Sequence, residues 1–114
     1  MEKITEYGKI KLSDNVFEKV VKEGLALTNG RDNLALERKS IIIDEDENEI
    51  RVEFHVTHKF GTSMLFSSMT VMNYIEENIK SIKIGKPVRV TMRIVAIKAR
   101  KSFKVDHERT RVIN

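Results

Sequence analysis

The chain has 114 residues, 40% hydrophobic and 33% charged, with a net charge of +4, one Pro and no Cys or Trp. That length supports one domain with one modest core, and no apolar run approaches the roughly 18–20 residues that would span a bilayer. Without Cys there is neither a disulfide framework nor a thiolate metal site. The opening Met1-Glu2-Lys3-Ile4 lacks the apolar stretch of a secretory signal, so a cytoplasmic setting is expected.

From Ile4 to Leu12 the apolar Ile10 and Leu12 alternate with Lys9 and Lys11, which predicts a short strand with one buried face. Its lysines suit a sheet edge, where charge discourages pairing with another chain. Ser13-Asp14-Asn15 is a cluster of helix-capping residues. Val16, Phe17, Val20, Val21, Leu25 and Leu27 then recur at helical spacing. Gly24 interrupts this helix at a cost of about 1 kcal/mol relative to Ala, which close approach by a neighbouring element would explain. Asn29-Gly30 is a helix stop. Residues 31–39 read as an ordered connector, in which Leu34-Ala35-Leu36 fits a helical turn or the start of a strand.

Ser40-Ile41-Ile42-Ile43 is a short β-branched run, and Ile50, Val52, Phe54 and Val56 alternate with Arg51, Glu53, His55 and Thr57. The two runs predict an antiparallel hairpin with a wet outer face and an acidic turn from Asp44 to Glu49. The turn lacks the Gly and terminal Glu of an EF-hand loop, so it reads as a solvated tip and not a calcium site.

Lys59-Phe60-Gly61 ends that strand, and Thr62 or Ser63 caps a second helix. Leu65, Met69, Met72, Ile75, Ile79 and Ile82 form a continuous stripe expected to face the core. Met64, Phe66, Val71 and Tyr74 widen the apolar surface beyond it. Gly85-Lys86-Pro87 is the expected stop. Val88, Val90, Met92, Ile94 and Ala96 then alternate with Arg89, Thr91 and Arg93 in a last strand. The order β-α-β-β-α-β predicts an α+β, two-layer sandwich, with two helices on one face of a mixed or antiparallel sheet. Residues 1–97 form the domain, and 98–114 read as a basic, flexible tail. From Lys98 onward six basic residues stand against Asp106 and Glu108, an excess of four that equals the net charge of the whole chain.

The residues point to no catalytic act. Ser63, Ser67 and Ser68 fall at or near a helix start, and no Gly-x-Ser-x-Gly elbow is present. His55 and His58, three apart on a strand, point to opposite faces and cannot easily share an ion. Gly61 is single, so a phosphate-binding loop is unsupported. No catalytic residue, metal or cofactor is therefore expected. Two surfaces remain. Arg89, Arg93, Lys98, Arg100, Lys101 and Lys104 form a basic patch for nucleic acid, anionic lipid or an acidic protein face. Phe60, Gly61, Met64, Phe66 and Tyr74 form an apolar surface for a protein partner or a second copy.

Gly8-Lys9-Ile10-Lys11-Leu12, the Ser13-Asp14-Asn15-Val16 helix start, the Phe60-Gly61 step, Glu77-Asn78-Ile79-Lys80 and the Val-rich strand after Gly85 together resemble the alkaline shock protein family. That family comprises small envelope stress response proteins, found mostly in Gram-positive bacteria. The likeness spans about residues 8–97. Here Arg31 to Lys39 replaces the family's Gly-rich connector, and Phe60 stands in place of Tyr. The resemblance implies a non-enzymatic cytoplasmic protein that self-associates and reaches the membrane through another protein. A nucleic-acid-binding module is the alternative.

Overall fold

The computed structural model describes residues 8–27, 34–37, 39–59, 64–82 and 84–114. They form α1 (Gly8–Ala26), β1 (Leu34–Leu36), β2 (Ile42–Glu45), β3 (Ile50–Lys59), α2 (Met64–Lys80), β4 (Val88–Lys98) and β5 (Ser102–Ile113). The class is α+β, with two helices and a five-stranded mixed sheet.

β3 and β4 run parallel at the centre, with Ile50 opposite Val88, Val52 opposite Val90, Phe54 opposite Met92 and Val56 opposite Ile94. Parallel neighbours need a crossover, which α2 supplies. One side of β3 is shared by two short antiparallel strands. β2 pairs with its first half, through Ile42 to Glu53, and β1 with its second, through Leu36 to Val56. β5 pairs antiparallel with the other side of β4.

The alternation read from the sequence sets which face is dry. Ile50, Val52, Phe54 and Val56 of β3 and Val88, Val90, Met92 and Ile94 of β4 are all buried. They share one core with Phe17, Val20, Val21 and Leu25 of α1 and Val71, Met72, Ile75 and Ile79 of α2. The expected β2–β3 hairpin forms, with Asp46 at its acidic turn.

Both ends of the chain differ from expectation. Residues 8–12 open α1 where a strand was expected, while residues 4–7 lie outside the described residues. Two alternating apolar positions are a weak strand signal. A helix nucleated downstream gains one hydrogen bond for each residue it adds, so it extends through them. Ser13, Asp14 and Asn15 consequently fall inside the helix and not at its start. α1 ends at Ala26, where Leu27 N–H donates to the Gly24 carbonyl; Asn29 and Gly30 lie outside the described residues.

The segment read as a flexible tail is β5 over most of its length. Two of its charges, Asp106 and Glu108, are cross-strand partners. Arg93 of β4 bonds Asp106 and Glu108, Thr91 meets Thr110, and Ile113 is buried beside Val88. α2 ends at Lys80, before the expected stop, with the Ser81 hydroxyl donating to the Asn78 carbonyl. Gly85 instead makes the turn into β4, at φ +90°.

Candidate interaction surface

α2 is rotated relative to the stripe read from sequence. Its buried line is Ser67, Ser68, Val71, Met72, Ile75 and Ile79, a run of three- and four-residue steps. Leu65 and Met69, expected in the core, lie one flank away and are 60% and 48% exposed, beside Phe66 at 61%. Ile82, also assigned to the stripe, is partly exposed beyond the helix end, whereas Val71, read as surplus, is fully buried. The two serines hold inward positions, and their hydroxyls are buried with no hydrogen-bond partner among the described residues.

The flank carrying Leu65 and Met69 leans toward the edge strand β5. Leu65, Ser68, Met69 and Met72 line a small pocket with Arg109, Thr110 and Arg111. Arg111 bonds Asn73 and Glu76 of α2, tying strand to helix. Glu76, held by Lys80 and then by Arg111, has its carboxyl below the usual range. Arg109 has no ion pair among the described residues, so a cation borders the exposed apolar flank.

Tyr74 sits on the opposite flank, against α1. A Cβ built on Gly24 would lie 3.3 Å from Tyr74 Cδ1, 3.4 Å from Ile75 Cγ1 and 3.5 Å from Val71 Cγ1. Gly24 is thus a point of close approach between the helices. The Tyr74 phenol donates to Glu23 Oε1 at 3.0 Å, and that bond raises its pKa. Tyr74 therefore fastens the helix pair and does not join the exposed patch. Phe60, Gly61 and the side chain of Met64 lie outside the described residues.

The open face of the sheet is a lattice of opposite charges. Arg51 reaches Asp44, Asp46 and Glu49 at 2.7, 2.8 and 3.0 Å. Arg89 reaches Glu49 at 3.3 Å and Lys86 reaches Glu45 at 2.7 Å. Arg93 contacts Asp106 at 2.7 Å, Glu108 at 2.8 Å and Glu53 at 3.7 Å. The Asp106 bond is the leading cause of its raised pKa. Asp46 also accepts the backbone N–H groups of Asn48 and Glu49. Together with Arg51, the strongest influence, these bonds lower its pKa to about 2. The expected basic patch is therefore divided: Arg89 and Arg93 are engaged by carboxylates, while Lys98, Arg100, Lys101 and Lys104 gather around the β4–β5 hairpin.

The histidines behave as strand residues. His55 bonds Glu53 at 2.8 Å on the open face, and His58 is buried opposite Leu34 of β1. Among the described residues no three His, Asp or Glu side chains gather in a way that could hold a metal ion. Among the same residues no helix is long and apolar enough to cross a membrane. These features define an α+β domain with an exposed apolar helix flank and a basic hairpin. Comparison with protein-family profiles, curated proteins and solved structures finds no match to the chain.

Proposed function

We propose that the chain is a non-enzymatic scaffold that works through protein–protein contacts and self-association, as its resemblance to the alkaline shock proteins implies. In this reading it acts in the envelope stress response from the cytoplasm, and a protein partner brings it to the membrane. The observation that carries the proposal is the exposed trio Leu65, Phe66 and Met69 on two successive turns of α2. Scattered surface apolar residues need no explanation, but a contiguous patch of large ones marks a contact site. Phe and Met are also favoured at the centres of interfaces. Arg109 at the border adds a polar rim and favours a carboxylate on the incoming surface.

The paired state of Arg89 and Arg93 weighs against nucleic acid on the sheet face, because their charge is already met within the fold. Size-exclusion chromatography with light scattering tests the proposal. The wild-type chain should show a mass above the monomer that rises with concentration, and Phe66→Glu should return it to monomer with unchanged circular dichroism. A wild-type monomer at every concentration would remove self-association from the proposal.

A further inference from the structure

The β4–β5 hairpin breaks a pattern that holds over the open sheet face. There each arginine has a carboxylate within reach. Lys98, Arg100, Lys101 and Lys104 have no ion pair among the described residues, and no acidic residue lies between Lys98 and Val105. The same end of the sheet is marked by the register, in which Lys59 lies opposite Lys98 and Lys98 in turn faces Ser102. Phe103 stands among these charges, 53% exposed, and is paired across the strands with Ile97. Lys59, Lys98, Ala99, Arg100, Lys101 and Phe103 line one open concavity, largely apolar in surface.

We propose that this hairpin docks on an anionic lipid bilayer, its cations meeting lipid phosphates while Phe103 enters the headgroup layer. Lysine and arginine can lay their aliphatic stems along apolar material while their charges stay in water. Basic side chains clustered around an aromatic are the chemistry of an interfacial anchor. A single-stranded nucleic acid fits less well. Tracking one takes a groove several nucleotides long with successive aromatic platforms. Among the described residues here one aromatic stands beside a three-residue turn, and the arginines that would extend the track along the sheet are engaged by carboxylates. The proposed contact is separate from the apolar flank of α2, so either can fail without the other.

Vesicle flotation with the full chain tests the contact. The protein should float with phosphatidylglycerol-containing phosphatidylcholine vesicles, stay behind with phosphatidylcholine alone, and detach as salt rises. Each cation near such a surface is worth about fivefold in partitioning. Replacing Lys98, Arg100 and Lys101 together by Gln should therefore weaken binding roughly 100-fold with an unchanged circular dichroism spectrum. Phe103→Trp supplies the only Trp in the chain. Its emission should shift to the blue with anionic vesicles and stay unchanged with neutral ones. No flotation at low salt, equal binding to both lipids, or tighter binding of single-stranded oligonucleotides through the same three residues would overturn the proposal.

Discussion

Gly24→Val tests the packing on which the helix layer depends. The Gly24 position has about one carbon's worth of room. A Cβ there already meets Tyr74, Ile75 and Val71 at 3.3–3.5 Å, and the two γ-methyls of Val add bulk where three side chains of α2 converge. Overpacking of this kind costs about 1–3 kcal/mol. The higher helix propensity of Val over Gly returns only a few tenths of a kcal/mol. The expected net loss is about 1–2.5 kcal/mol. For a domain of this size each kcal/mol lowers the melting temperature by about 4–8 °C. Gly24→Ala is the informative control. Its gain of about 1 kcal/mol in propensity is largely offset by the few tenths of an ångström that Tyr74 must yield, so it should stay close to wild type. Urea denaturation followed at 222 nm reads both variants, with the m-value checking that the unfolding reaction is unchanged. A Gly24→Val protein as stable as wild type would show that α1 does not approach α2 at Tyr74.

The other expectations concern the core, the buried serines and the acidic turn. Phe54→Ala removes a fully buried ring from β3 and should cost about 3–5 kcal/mol by the same denaturation assay. Ser67→Ala deletes a buried hydroxyl that has no partner among the described residues and should raise stability by about 1 kcal/mol, an uncommon direction for a core substitution. Asp46 has a folded-state pKa of about 2, below its ordinary 3.8. Its contribution to stability is therefore fully present above about pH 4 and is lost as pH falls toward 2. NMR titration should place its carboxyl midpoint in that lower range, and Arg51→Gln should bring the midpoint back up toward the ordinary value.

The parts of the fold that were legible in the sequence are those where periodicity was long and face-specific. Ile50 to Val56 and Val88 to Ile94 each supply four apolar residues at alternate positions, and each set faces the core. Gly24 was legible as a close approach because Gly is unfavourable within a helix. The first strand was not, because Ile10 and Leu12 alone cannot distinguish an extended segment from a helix already propagating from Val16 onward. β5 was hidden for a different reason. Arg109, Glu108 and Asp106 look like solvated charge until the register sets Asp106 and Glu108 beside Arg93, and register is a non-local property.

The exposed apolar flank of α2 was partly legible. An excess of apolar residues on α2 was visible, but its assignment to particular side chains was wrong in part. Tyr74 turned toward Glu23 of α1, while Leu65 and Met69 turned out. No sequence signal marked this, because Ser67 and Ser68, which share the inward line with Val71, Met72 and Ile75, are of a residue type usually found at the surface. The hairpin cluster was visible as composition, but its separation from Arg89 and Arg93 required the ion pairs of the folded sheet.

Hydroxyl-radical footprinting of the full chain at low and high protein concentration tests most directly whether the α2 flank is a contact surface. Labelling of Leu65, Phe66 and Met69 should fall as concentration rises, while Phe103 on the hairpin keeps its reactivity. Equal labelling of that trio at both concentrations would contradict self-association through α2.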